Sequence, residues 1–217
     1  MVDKRISELP SAANFLAALQ IPVNDAGVNE KATGSQLASA WGLDFLGSAV
    51  LASAAHETPN VTLTWPPGSG IAATRDFLWI FVRVASYGGS PDATGDIASL
   101  RFNADSGANY WTRHLYFTAG TWNDVSLAST ALIRLAPTNS RLSRNVFITI
   151  NNLANRGKTC NIKNQTGTAD ATLVGEVNIA GGEWVNLVDQ ITSVQLIDQG
   201  SNNMGTGSGF IVLGKNF

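Results

Sequence analysis

Leu100-Arg101-Phe102-Asn103-Ala104-Asp105-Ser106-Gly107-Ala108-Asn109-Tyr110-Trp111 is the stretch on which the fold is read. Leu100 and Phe102 alternate with Arg101, as in a half-buried strand. Asn103 to Asn109 carries Asn, Asp, Ser and Gly, residues that hydrogen-bond their own backbone or accept a positive φ. Aromatic residues then open a second run, Tyr110 to Phe117. The pattern predicts strand, turn, strand, joined as a hairpin.

Similar short runs recur on either side between turn clusters, from Ile71 onward. Phe77 to Val84 is almost continuously apolar and predicts a central strand buried on both faces. Ala131 to Ala136 follows, then Asn145 to Asn152, whose Val146, Ile148 and Ile150 share one face. Thr159 to Lys163, Ile191 to Ile197 and Gly209 to Leu213 complete the series. Leu173 to Ile179 and Glu183 to Leu187 flank Ala180-Gly181-Gly182, which reads as a turn. About nine strands with no helical period after Gly70 predict a mainly β domain, a jelly-roll-like antiparallel β-sandwich over residues 71–217.

Composition agrees with a β-rich body. Of 217 residues, 44% are apolar, and six Trp and nine Phe supply large core anchors. Only 14% are charged, well under the usual quarter, so the surface is polar but weakly charged. A net charge of −2 and a pI near 5.6 argue against a nucleic-acid partner, which needs a basic face. The single cysteine, Cys160, excludes an intramolecular disulfide framework and sits in an alternating run where a buried thiol is expected. The N-terminus carries no apolar run resembling a signal peptide, and no stretch has the length of a membrane-spanning helix. Synthesis in the cytoplasm without membrane insertion is the expectation.

The first part of the chain reads differently. Over residues 1–42, Ile6-Ser7-Glu8-Leu9-Pro10 is a short extended peptide with two apolar anchors. Ser11 to Gln20 predicts a brief helix, and Ile21 to Thr33 predicts two short strands around an Asp25-Ala26-Gly27 turn. Thr33 or Ser35 can cap a further helical turn through Trp41, stopped by Gly42. The segment is too small for its own core and must dock on something else. Residues 43–70 predict a short helix followed by a linker. Leu43, Leu46 and Val50 are spaced to form a seam against sister copies, and Trp65-Pro66-Pro67-Gly68 marks the linker.

Arg5-Ile6-Ser7-Glu8-Leu9-Pro10, the Ile21-Pro22-Val23 strand, the Asp25-Ala26-Gly27 turn and Lys31-Ala32-Thr33 before a short helix resemble the N-terminal module of tailed-phage virion proteins, often described as tail or head fibre proteins. That resemblance implies an anchor to the particle through Ile6, Leu9, Pro10, Ile21 and Val23. The later chain also resembles a β-sandwich module of phage structural proteins. The residues concerned are Arg101-Phe102-Asn103 with Asp105-Ser106-Gly107 and Asn109-Tyr110, then Ser129-Thr130 before Ile133-Arg134, Gly181-Gly182-Glu183-Trp184, Ile191 to Leu196 and Gly205 to Gly214. It departs at Trp111-Thr112-Arg113-His114, where relatives carry a Ser- or Tyr-rich strand. Together the two resemblances imply a non-enzymatic virion component assembled in the host cytoplasm. It would be a homotrimer in contact with tail, portal-proximal or capsid proteins, acting as a short fibre or spike that attaches to a host-surface glycan. The alternative they imply is a capsid cement or decoration protein.

The residues themselves offer no catalytic set and call for no cofactor. Acid–base work needs paired carboxylates or a supported histidine. Asp92, Asp96 and Asp105 fall in turns without calcium-loop spacing. His56 and His114 lie far apart in sequence with no third ligand beside them, so no metal site is expected. Binding has better candidates. Tyr110, Trp111, Arg113, His114 and Tyr116 give one strand aromatic plates and hydrogen-bond donors suited to a sugar ring. Strand alternation puts Trp111, Arg113 and Leu115 on one side and Tyr110, His114 and Tyr116 on the other, one set being core. The sequence alone leaves open which set that is. Trp122-Asn123-Asp124 and Asn164-Gln165-Thr166-Gly167 read as alternative loop sites, and the Asp105-Ser106-Gly107 turn reads as structural.

Overall fold

The computed structural model describes residues 21–25, 28–32, 42–66, 68–85, 98–118, 121–136, 144–166, 177–200 and 203–216. Ile21–Asp25 (β1) and Val28–Ala32 (β2) form the expected pair of short antiparallel strands, from Ile21 opposite Ala32 to Asp25 opposite Val28. Ile21 and Val23 lie on β1. Ile6, Leu9, Pro10 and the helices expected over 11–20 and 33–41 lie outside the described residues.

Among the described residues the body of the protein is antiparallel β, with strands Asp44–Val50 (β3), Val61–Thr62 (β4), Phe77–Val84 (β5), Ala98–Phe102 (β6), Tyr110–Thr118 (β7), Thr121–Thr130 (β8), Ile133–Arg134 (β9), Arg144–Asn151 (β10), Lys158–Thr166 (β11), Val177–Trp184 (β12), Ser193–Asp198 (β13) and Gly209–Lys215 (β14). One sheet has eight strands in the order β3-β14-β5-β10-β11-β12-β7-β8, and a second has four in the order β4-β13-β6-β9. The two face each other across one core. Leu78, Ile80, Val82, Ile148, Ile150, Ile162 and Phe210 of the large sheet meet Leu100, Phe102, Val194 and Leu196 of the small one. The result is a β-sandwich-like architecture, and Cys160 lies buried inside it as a free thiol that burial pushes up to about 12.

Several expectations hold. Phe77–Val84 is a central strand between β14 and β10. Its even-numbered residues are buried, but burial on both faces does not hold, because Phe77, Trp79 and Phe81 on the other face are half-buried and Arg83 is exposed. Val146, Ile148 and Ile150 share the core face of β10.

Others are corrected. Leu100–Trp111 is not a hairpin, because β6 belongs to the small sheet and β7 to the large one. The chain turns a corner between sheets. Asn103 and Ala104 adopt φ of 52° and 55°, and the Asp105 N–H closes the turn onto the Phe102 carbonyl at 2.9 Å. The Asn103 side chain then ties the corner to the approach of β13. Its Oδ1 accepts from the Thr192 and Ser193 amides, and its Nδ2 donates to Gln190 O.

The helix expected over 43–55 is also absent, since residues 44–50 form β3 on the edge of the large sheet. The large sheet therefore already includes Asp44–Val50, ahead of Ile71. Gly47 stands opposite Val212 and Phe45 opposite Leu213, which leaves Leu46 as the extra residue of a bulge. A bulge breaks two-residue alternation, and the resulting inward spacing of Leu46 and Ala49 imitates a helical period. Leu46 is fully buried in the protein's own core and is no seam for sister copies, while Leu43 and Val50 are half-buried. Gly181-Gly182 is no turn but the middle of β12. A Cβ on Gly182 would lie 3.1 Å from Ile133 and 3.2 Å from the Trp111 carbonyl, so glycine there lets β9 close over the sheet.

Candidate functional site

Strand β7 decides the site. Tyr110, Thr112, His114 and Tyr116 point into the sandwich and are buried, whereas Trp111, Arg113, Leu115 and Phe117 point outward and are exposed. Of the five binding candidates, the structure therefore keeps Trp111 and Arg113 on the surface and withdraws Tyr110, His114 and Tyr116. Pairing supplies the outer row with neighbours: Trp122 of β8 stands opposite Phe117, Asp124 and Ile179 flank Leu115, and Glu183 stands opposite Trp111. Trp122 and Ile179 are exposed as well, so five large apolar side chains, each 40–58% exposed, share one face. The Phe117 and Trp122 rings meet at 5.3 Å with a 60° tilt, forming an open wedge rather than a flat plate.

A single ion pair crosses this face. Arg113 Nε donates to Asp124 Oδ1 at 3.1 Å and to Oδ2 at 3.2 Å, and Nη2 donates to the same Oδ2. The hydrogen bonding raises the guanidinium's pKa and holds the Asp124 carboxyl below its ordinary range. The two charges cancel each other, so the apolar side chains lie around a neutral pair of polar heads.

The inward side of β7 is structural. The Tyr110 hydroxyl accepts from the Phe102 N–H at 3.0 Å and lies 3.1 Å from the carbonyls of Phe102 and Asp105. Its ring stacks on Trp184 at 6.3 Å, and Phe102 completes the aromatic trio. Burial pushes the Tyr110 phenol well up. Trp184 Nε1 donates to Asp105 Oδ2 at 2.7 Å, and Gly107 N and Asn109 Nδ2 also donate to that carboxylate. Burial pulls the Asp105 pKa upward, but the bonds from Trp184, Asn109 and Gly107 and the charge of Arg101 outweigh it and lower the value. The Asp105-Ser106-Gly107 turn is thus the outer support of the aromatic trio. His114 Nδ1 lies 3.1 Å from Asn178 Nδ2; with the amide donating, Nδ1 accepts and the ring proton sits on Nε2.

Trp122-Asn123-Asp124 and Asn164-Gln165-Thr166 belong to strands β8 and β11, not to loops. Asp92 and Asp96 lie outside the described residues. His56 Nδ1 stands 3.9 Å from Asp198, remote in sequence from His114. Among the described residues no group of three or more His, Cys, Asp and Glu side chains converges. Phe117 and Ile179 are surface residues that the sequence reading does not name as such, and Leu115, set there beside Trp111 and Arg113, is not among its binding candidates. For Leu115 and Phe117 the signal is the alternation of β7, which puts Trp, Arg, Leu and Phe on one face once the core side is known; Ile179 joins them only through the pairing of β12 with β7.

Fold and surface together define an antiparallel β-sandwich-like protein with one exposed aromatic face. Comparison with protein-family models, with curated proteins and with solved structures finds no match.

Proposed function

We propose that the chain is a non-enzymatic structural protein of a tailed-phage particle. In this reading its N-terminal segment fastens to tail, portal-proximal or capsid proteins. The sandwich, wound in jelly-roll fashion, is presented to a host-surface glycan by a short fibre or spike of three copies. The observation that carries the attachment role is the outer face of β7, β8 and β12, where Trp111, Phe117 and Trp122 surround the Arg113–Asp124 pair. Aromatic rings stack against the C–H face of a pyranose, and the wedge between Phe117 and Trp122 admits a ring edge. The Arg113 and Asp124 heads add a donor and an acceptor for hydroxyls without imposing a net charge on the sugar.

The test is binding of the full chain to intact host cells and to purified envelope glycans, with a Trp111→Ala/Trp122→Ala variant beside it. Binding that the double variant loses, with its far-UV spectrum unchanged, is the expected result. Failure to bind cells, together with binding to empty capsids and greater heat resistance of those capsids, would instead establish a cement protein.

A further inference from the structure

The edges of the sheets are not treated alike. In the small sheet the edge strands β4 and β9 have two residues each, too short to template another strand. In the large sheet the β3 edge carries the bulge at Leu46, and the Leu46 carbonyl is already taken by the Thr64 N–H at 2.9 Å. The β8 edge is different. It runs for ten residues, and Thr121, Trp122, Asp124, Ser126, Ala128 and Ser129 are all exposed. Its pairing with β7 is regular from Thr121 to Leu127, and only Ala128-Ser129 forms a bulge, with Ser129 at φ 53°. The one charge on the strand is Asp124, and Arg113 of the same sheet neutralises it. A charge on an edge normally repels a second strand; here that protection is cancelled within the chain.

We propose that β8 pairs antiparallel with β8 of a second copy of this chain, joining two eight-stranded sheets across a two-fold axis. Charge and regularity select the register. Centring on Asp124 would set two carboxylates directly opposite each other. Centring on Val125 avoids this, pairs the regular residues Asn123–Leu127, sets Asp124 against the partner copy's serine at 126, and sets the bulk of Trp122 against the small alanine at 128. A neutral, self-complementary edge favours its own copy over a charged partner. The pairing depends only on β8 and its neighbour β7 and describes the free chain; it stands whether or not the chain belongs to a virion, where a three-copy spike would have to part it, because a two-fold edge joins copies only in pairs.

The experiment combines sedimentation of the full chain over micromolar concentrations with amide hydrogen exchange read residue by residue. The expected species is a two-fold dimer in which every amide from Asn123 to Leu127 is protected, because an unpaired edge protects only every second one. Ser126→Asp keeps its favourable position opposite Arg113 within the chain. In the dimer it sets two symmetric pairs of like charges opposite each other, so dissociation should become at least about tenfold easier. Ser126→Lys, facing Asp124 of the other copy, should not loosen the dimer. Three results would each overturn the proposal: a monomer at every concentration, an oligomer with alternate β8 amides exchanging freely, or equal effects of the two substitutions. Loss of glycan binding with the dimer intact would count against the attachment role alone.

Discussion

The outer face of the large sheet has two halves built from the same kinds of residue and finished differently. Around β3, β14, β5 and β10, the residues Leu43, Phe45, Trp79 and Phe81 pack with Ile211 and Leu213, and Phe81 meets Phe147 at 4.9 Å. There Ile211 is 3% exposed and Leu213 2%. Around β12, β7 and β8, Leu115 is 47% exposed and Ile179 53%. The exposed residues Thr159, Asn161 and Lys163 of β11 separate the two halves. The difference teaches that an outward-facing apolar residue is not by itself a binding residue. In one half large neighbours on adjacent strands remove it from water, and in the other Gly181, Ser126 and the Arg113–Asp124 pair leave gaps between the apolar groups. The open half is where a partner gains from contact.

Matched substitutions test that contrast. Leu213→Ala should lower the unfolding free energy by about 2–5 kcal/mol, since it empties a packed site. Leu115→Ala, the same change in the open half, should cost about 0.5 kcal/mol or less. Denaturant titrations of the two variants check both, and equal losses would erase the distinction between the halves. The milder pair sharpens it: Ile211→Val should cost about 0.5–1.5 kcal/mol, and Ile179→Val should fall within the error of the measurement.

Acid provides the next smaller effect. The folded Asp105 carboxyl lies below its ordinary pKa, so the unfolded chain binds more protons near that value and stability rises with pH there. The contribution is full above the unfolded value of about 4 and disappears as pH falls through the folded one. Asp105→Asn should therefore narrow the stability gap between neutral and acid solution in urea titrations. An unchanged gap would remove Asp105 as the support of Trp184. The smallest effect belongs to the open half: Asp124→Asn should leave the unfolding midpoint unmoved, because exposed ion pairs are screened by water and salt. A clear shift there would mean that this face is covered in solution.

Much of the β framework was legible in the chain. Alternation at Val146, Ile148 and Ile150 and the apolar run Phe77–Val84 report burial locally, and burial is what a strand's pattern records. The site was half legible: the two faces of β7 could be written down, but not which one met the core. Strand β8 was not read, because Thr121–Thr130 is exposed on an edge and has no buried side to impose an apolar period. The helix expected over 43–55 arose because a bulge at Leu46 gives an edge strand a helix-like spacing.

The stretch Leu100–Trp111 marks the division between what the sequence by itself determined and what tertiary structure decided. The sequence determined a strand, a turn with residues tolerant of positive φ, and a second strand, because these depend on local backbone sterics and alternation. Whether the two strands pair was decided elsewhere. Asn103 binds the backbone at 192–193, Asp105 receives Trp184, and Tyr110 bonds back to Phe102, so the corner is held by contacts from distant parts of the chain. Such contacts form only when the sheets stack, and with them came the choice of which face of β7 would remain in water.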